Sequence, residues 1–340
     1  MIVKGTVDPM YKLSVAMTTY NGEKFVYKQL KSLYEQTRRP DQVIIIDDCS
    51  TDSTPQIVRD FIKEYQLDWH FEINESNLGY KKNFCKAISL TDGDIIFLCD
   101  QDDIWHNEKF ETIENIFIGN PKVDCINTSF VFIDDEDKPL QSENKRGMSN
   151  NNLIFFDIKP NDIVNIDLNS IIRRNISPGC TVAFRSKIKD IYLQNTKHLL
   201  PHDWEINIYS ALSGGLFFYN KPLISYRLHG NNTIGLSLKH INGFKFRGNF
   251  IQRLNILNEQ IGLSEFLLKP FIFDKLGKSG KKFAIHLKSY TKNRQKCINN
   301  NSLISWFFLF KDVFFIYDKP LKSLRSTVGD LFYITGLKKK

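Results

Sequence analysis

Ile95-Ile-Phe-Leu-Cys-Asp-Gln-Asp-Asp-Ile-Trp105 is an apolar run of strand length that ends in three carboxylates within four positions, Asp100, Asp102 and Asp103. A buried strand that delivers these groups to its carboxyl end concentrates negative charge where like charges repel, so a positive partner is expected there. Oxygen ligands beside a turn suit Mg²⁺ or Mn²⁺, and such an ion leaves coordination positions open for the phosphate oxygens of a substrate. The competing reading is an acidic surface turn that caps the helix after it.

Upstream of this stretch, strand and helix alternate. Residues 13–18 read as a buried strand, 19–22 as a turn, and 23–36 as a helix in which Phe25, Leu30, Leu33 and Tyr34 share a face. Pro40 breaks the chain, 42–47 is a second strand, and Asp47-Asp-Cys-Ser-Thr-Asp-Ser-Thr54 is a polar loop in which Thr54 is placed to cap a helix opened by Pro55. A strand over 69–73, a turn at Asn77-Leu-Gly79 and a helix over 80–90 follow, with Phe84, Ala87 and Ile88 inward. Three such alternations predict an α/β fold with a parallel sheet, right-handed crossovers and ligand loops at the strands' carboxyl ends.

Downstream, Asn107 is the expected cap of a helix to 119, and 123–133 is a strand. Residues 134–165, rich in Asn, Asp, Lys and Ser, predict a long mobile excursion with at most one short helix. Strands are expected over 178–184, 215–219 and 223–228, and a helix over 201–212. From residue 238 the pattern is helical, broken near Pro270 and over 277–280. These readings place a catalytic domain over 1–235 and a basic helical extension over 236–340, there to meet a membrane surface or the acceptor.

The charge follows the same division. Of a net +8, residues 239–340 carry twenty Lys or Arg against six Asp or Glu, a balance of +14, which leaves −6 for residues 1–238. An acidic-leaning front and a basic rear suggest chemistry in one and attachment to an anionic surface in the other. Residues 303–317 are strongly apolar but contain Lys311 and Asp312 and are too short for a membrane span. A helix in the lipid interface, flanked by Lys319, Lys322, Arg325 and Lys338-Lys-Lys340, and a helix buried against the front domain both fit. Six cysteines stand at least fourteen positions apart, without zinc or redox-motif spacing, so reduced thiols in a cytosolic compartment are expected. The first twelve residues lack the apolar segment of a signal peptide.

Four motifs in register resemble family 2 glycosyltransferases of the GT-A fold: Ser14-Val-Ala-Met-Thr-Thr-Tyr-Asn21, Ile46-Asp-Asp-Cys-Ser-Thr-Asp52, Asn77-Leu-Gly79 with Asn83, and Asp100-Gln-Asp-Asp-Ile-Trp105. The resemblance covers roughly residues 12–230. With Pro178-Gly-Cys180, His202-Asp-Trp204 and Tyr226-Arg-Leu-His-Gly-Asn-Asn232, it is nearest to bacterial rhamnosyltransferase-like enzymes that build capsule or O-antigen polysaccharides. It implies a Rossmann-like, mostly parallel sheet flanked by helices, with a mainly helical extension. The implied activity is inverting, metal-dependent transfer of a sugar from a nucleotide-diphosphate donor, dTDP-rhamnose before UDP-galactose or UDP-glucose, to a hydroxyl of a lipid-linked polysaccharide at the inner membrane face.

Residue by residue, the resemblance implies that Thr18, Tyr20, Asn21 and Gly79 line the donor pocket, with Tyr20 near the base. Asp48 accepts from the nucleobase while Asp47 fixes the loop, and Asp100 and Gln101 meet ribose or sugar. It makes Asp102 the principal ligand of Mn²⁺ or Mg²⁺, with His229 a late ligand and Arg227 an electrostatic aid; Asp103 holds the loop. Asp203 matches the catalytic base, beside Glu205, with His202 and Trp204 toward the acceptor. A helix-start Asp is also an ordinary cap. Met17 departs from the family, many members of which carry Pro there. Two rivals are a nucleotidyltransferase, for which residues 18–23 lack the Gly-rich phosphate loop, and a non-catalytic basic membrane-surface module; no nucleic-acid motif is present.

Overall fold

Seven consecutive buried residues, Leu13–Thr19, form strand β1 inside the sheet. Both of its faces are covered, which is why its sequence is a continuous apolar run. The computed structural model describes residues 11–194, 197–229, 250–316, 327–328 and 330–331. Gln42–Asp47 (β2) runs parallel to β1, His70–Ile73 (β3) runs parallel to β2, and Ile95–Cys99 (β4) flanks β1 on the other side, also parallel. The register sets Thr19 opposite Asp47 and Met17 opposite Cys99, so the polar loops after β1, β2 and β4 open on one edge. Helices Val26–Tyr34 (α1), Thr54–Glu64 (α2) and Tyr80–Ser89 (α3) cross between these strands. Their inward stripes are Val26, Leu30 and Leu33, then Val58 and Phe61, then Phe84, Ala87 and Ile88.

The second half is mixed. Ile104–Trp105 (β5), Lys109–Gly119 (α4), Cys125–Ile133 (β6), Pro139–Leu140 (β7), Ile163–Asn165 (β8), Val182–Arg185 (β9), Ser186–Leu193 (α6), His202–Ala211 (α7) and Leu216–Arg227 (β10) complete the front, with Leu168–Ile171 (α5) in between. The sheet order is β3-β2-β1-β4-β9-β6-β10-β5, with β7 beside β6 and β8 beside β10. The expected strand over 178–184 is a 3₁₀ turn, Gly179–Thr181, that turns the chain into β9, antiparallel between β4 and β6. The two strands expected over 215–228 are one, β10, with irregular register around Pro222, where proline lacks the N–H for an unbroken ladder.

The excursion over 134–165 carries β7 and β8 and no helix. Its asparagines anchor it: Asn150, Asn151 and Asn152 all have positive φ, which Asn tolerates, and the Asn150 amide donates to the Ile176 carbonyl at 2.7 Å and to Ser177 Oγ at 2.8 Å. Asn107 is not the helix cap, since α4 begins at Lys109 after Glu108. Thr54 does not cap α2 either; its hydroxyl donates to Asp52 at 2.6 Å and accepts from the Gly22 N–H at 2.7 Å.

Two compact units result, Met1–Asp167 with Asn175–Phe244, and Leu168–Arg174 with Lys245–Lys340. The anticipated boundary at 235 and the basic residues at 319, 322, 325 and 338–340 lie outside the described residues. The rear unit holds α5 and four further helices among its described residues, Phe250–Leu267 (α8), Pro270–Phe273 (α9), Lys278–Asn300 (α10) and Leu303–Ile316 (α11). Breaks fall at Pro270 and Gly277 as the sequence suggests. Buried Arg294 pairs with Asp330 at 2.8 Å and donates to Gln260 at 3.0 Å, so its charge is partnered. Lys311 and Asp312 do not interrupt α11, because Lys311 lies on its exposed side while Asp312 is buried and meets His286 Nδ1 at 2.7 Å. Among the described residues no helix is long and apolar enough to cross a membrane.

Candidate active site

The carboxylates after β4 do different work. Asp103 is buried; its Oδ1 accepts from the Arg227 N–H at 3.0 Å, while its Oδ2 has no hydrogen-bond partner. Burial and the neighbouring Asp102 push its pKa up to about 7. Burial, then Asp102, Asp103 and Asp203, push Asp100 well above the ordinary carboxylate range. Asp102 is partly exposed, and its Oδ2 lies 2.8 Å from His229 Nε2. Arg227 is wholly buried: its Nε donates to the Asp102 carbonyl at 2.7 Å, its Nη1 donates to the Asp134 carbonyl at 2.7 Å, and its guanidinium covers Phe25 at 4.6 Å. Arg227 therefore holds the backbone of the acidic turn in place.

These residues fit a hard divalent cation. Three acids share a rim, and a buried carboxylate oxygen lacks a donor, so local charge is under-compensated. Asp102 with His229 offers an oxygen and an imidazole nitrogen on the accessible side. Asp100, Asp103 and Cys180 also bring ligand atoms within 4.8 Å of one another, but burial pushes the Cys180 thiol up, and a protonated thiol is a poor ligand for Mg²⁺ or Mn²⁺.

The loops beside the rim are stitched by side chains. Gln101 pairs with the backbone of Tyr20, accepting from its N–H at 2.7 Å and donating to its carbonyl at 2.9 Å. A Cβ on Gly22 would lie 2.2 Å from Gln101 Oε1, so glycine permits that pairing. Asn21, at φ 47°, accepts from the Thr51 N–H at 2.9 Å and donates its own N–H to Ser50 Oγ at 2.8 Å. Asp47 accepts from Thr19 Oγ1 at 2.7 Å and from the Ser50 N–H at 2.7 Å. Asp48 ties β2 to the next turn: it accepts from Leu78 N at 2.7 Å, Gly79 N at 2.9 Å and Asn74 Nδ2 at 3.0 Å. Any contact from Asp48 to a base would share these oxygens. Gly79 sits at φ 79° at the head of α3, a backbone that favours glycine. Thr18 is buried at the end of β1, and Tyr20 after it is 46% exposed.

Asp203 stands in the first turn of α7, a helix buried almost all round. Its Oδ2 accepts from Asn175 Nδ2 at 2.6 Å; burial raises its pKa to about 6 against the lowering effect of that bond. The turn Pro178-Gly-Cys180 links it to the rim. A Cβ on Gly179 would meet His202 Nε2 at 3.1 Å and Asp203 Cβ at 3.6 Å, and the adjacent Cys180 abuts Asp100 and Asp103. His202 stacks on Phe84 with ring centroids 3.8 Å apart, and burial lowers its pKa to about 3, so it is a neutral aromatic wall. Glu205 accepts from the Leu200 N–H at 3.0 Å and fixes the approach to α7, while Trp204 is half-buried beside Asp203.

Two groups escape the sequence reading. Behind Asp203, Asn175 Oδ1 accepts from Asn207 Nδ2 at 3.1 Å, and Asn207 exchanges amide bonds with Asn127 at 2.7 and 3.2 Å. The signal was an asparagine inside each of two elements that are buried almost throughout. Lys109 is wholly buried, donates to the Cys180 carbonyl at 2.7 Å and lies 3.3 Å from the Trp105 ring centroid. Burial lowers its pKa to about 7. Its signal was a lysine in the first turn of a helix, where the macrodipole disfavours it.

Residues 14–178 match the model of glycosyl transferase family 2. The dTDP-rhamnosyl transferase RfbG of Shigella flexneri is 25% identical over 238 residues, 65% of this chain and 74% of that protein. Of other curated relatives, at 23% identity, the chain spans only 59% of the length. The structure of Staphylococcus aureus TarS 1-349 in complex with UDP-GlcNAc superposes with a TM-score of 0.58 at 17% identity, covering 95% of this chain and 90% of that one. GalNAc-T7 with UDP, GalNAc and Mn²⁺ gives 0.50 at 13% identity, over 68% of this chain and 47% of that one. At such identities the likeness is one of fold. With the sheet order, the acidic turn and the matched segment in agreement, the front unit has the GT-A fold, and the segment 14–178 is similar to glycosyl transferase family 2.

Proposed function

We propose that the protein transfers a sugar, with inversion, from a nucleotide-diphosphate donor to a hydroxyl of a growing surface polysaccharide. The observation that carries this reading is the pairing of a buried, base-like Asp203 with an acidic rim inside one electrostatic neighbourhood. Asp203 removes the acceptor hydroxyl proton as that oxygen bonds to the anomeric carbon. The bond from the anomeric carbon to the phosphate oxygen breaks on the opposite face, and the nucleoside diphosphate departs with the electron pair. Thr18, Tyr20, Asn21 and Gly79 line the donor side; the exposed Tyr20 ring offers a stacking face at low entropic cost. Asp100 and Gln101 stand where ribose and sugar enter, and His202 and Trp204 wall the acceptor side. Asp102 with His229 would hold Mn²⁺ or Mg²⁺, which when bound neutralises charge on the leaving diphosphate. The Mn²⁺ named with GalNAc-T7 supports that choice of ion, and the RfbG relative supports dTDP-rhamnose as donor. The protein then works at the inner face of the cell membrane, with a lipid-linked acceptor.

A hydrolysis and thermal-shift screen of nucleotide sugars in Mn²⁺ tests the reading. dTDP-rhamnose should give the largest stabilisation and slow release of dTDP. A larger response to UDP-galactose, UDP-glucose or UDP-GlcNAc would change the donor and keep the chemistry, whereas no response to any nucleotide sugar would remove the proposal.

A further inference from the structure

We propose that α11 and the lysines of α10 form a docking surface for an anionic lipid bilayer. Helix α11 has two apolar stripes. Leu309, Val313 and Ile316, with Ser305 and Asp312, are buried. On the other side Ile304, Phe307, Phe308, Phe314 and Phe315 are exposed, Ile304 at 73% and Phe307 at 66%. A helix packed on one side ordinarily shows polar residues on the other, so an exposed aromatic stripe marks a surface that meets something apolar.

The charge around the stripe says what. Helix α10 carries six lysines and an arginine and no acid. Lys282 lies over the Phe315 ring at 4.3 Å, and Lys311 stands within the stripe itself. The single acid of α11, Asp312, is buried and engaged by His286. Leu276, Lys278, Lys281, Lys282, Ile285 and His286 line a concavity of about 560 Å³, so lysines border apolar side chains there. Aromatic side chains bordered by lysines are the composition of a helix lying in the interface of an anionic bilayer. At about 1.5 Å per residue, α11 is too short for a hydrocarbon layer of about 30 Å, so it lies along the surface. A second copy seated on this face would bring two cationic rims together, which disfavours it.

The inference rests on the membrane-face location proposed above, but its test reads binding alone. The full chain is floated with vesicles of phosphatidylcholine, with and without phosphatidylglycerol, at low and high salt. Flotation is expected only with phosphatidylglycerol and should weaken with salt. Phe307→Ser with Phe314→Ser should lower partition at least about tenfold, from the lost burial of two aromatic rings. Lys281→Glu with Lys282→Glu should lose the preference for anionic lipid, and circular dichroism should be unchanged in both. Equal partition of wild type and aromatic variant overturns the proposal, as does wild-type flotation with neither vesicle. Sedimentation velocity showing a dimer that the aromatic substitutions dissolve would also overturn it, by assigning the face to a second copy.

Discussion

Asp203→Asn should lower kcat about 10³-fold and leave the affinity for nucleotide sugar within about twofold. Asparagine keeps the shape and the oxygen that accepts from Asn175 but cannot take a proton, so the loss falls on the chemical step. In the wild type, burial holds the Asp203 carboxyl at about 6, and the base works only when ionised. Turnover should therefore rise with pH through about 6 and level off above it. Asn175 donates to the ionised form and lowers the pKa, so Asn175→Ala should move that limb to higher pH. The same shift carries a stability consequence. A carboxyl whose folded pKa lies above its ordinary 3.8 contributes stability that is present below that value and lost as pH rises through about 6. At pH 8 the Asn variant should thus be more stable, by at most about 3 kcal/mol, in urea denaturation. Unchanged turnover would remove Asp203 from the base role, and an unchanged pH limb in Asn175→Ala would remove Asn175 from positioning it.

Asp102→Ala is expected to weaken nucleoside diphosphate binding in Mn²⁺ by about 10²-fold and to make the remaining affinity indifferent to chelator. The substitution spares the Asp102 carbonyl that accepts from Arg227 and the Asp103 oxygen that accepts from the Arg227 N–H, so the turn should keep its shape. His229 loses its carboxylate neighbour. Calorimetry with dTDP and UDP, with and without Mn²⁺, reads the effect. Full affinity in the variant, still sensitive to chelator, would put the ion elsewhere on the rim.

The parallel half of the sheet was legible because β1, β2 and β4 are buried on both faces and end in polar loops, so apolar runs and turn residues mark them locally. The antiparallel β9 was not legible as such. Its placement between β4 and β6 depends on a 3₁₀ turn and on partners 55 or more positions away in register, which no local period encodes. Ile104–Trp105 is two residues long, and only its pairing with Ile224 and Ser225 makes it a strand. Leu168–Ile171, grouped with the rear helices, breaks a division drawn at a single point along the chain. At the site, the acids after β4 stood out because ionisable groups close an apolar strand, whereas Asp203 was marked by the family resemblance, since a helix-start Asp is by itself an ordinary cap. Asn127, Asn175 and Asn207 did not, since an amide network exists only once β6, α7 and the segment before the Pro178 turn meet. Gln101 was legible as a polar loop residue, but its pairing with the Tyr20 backbone needed the loops in place.

Anomalous diffraction at the manganese edge, from crystals grown with Mn²⁺ and dTDP, tests the shared cleft most directly. The expected result is one peak against Asp102 and the diphosphate, with the Asp203 carboxylate facing the same cleft. A peak held by Asp100, Asp103 and Cys180 without nucleotide, or a nucleotide bound away from Asp203, would contradict the account.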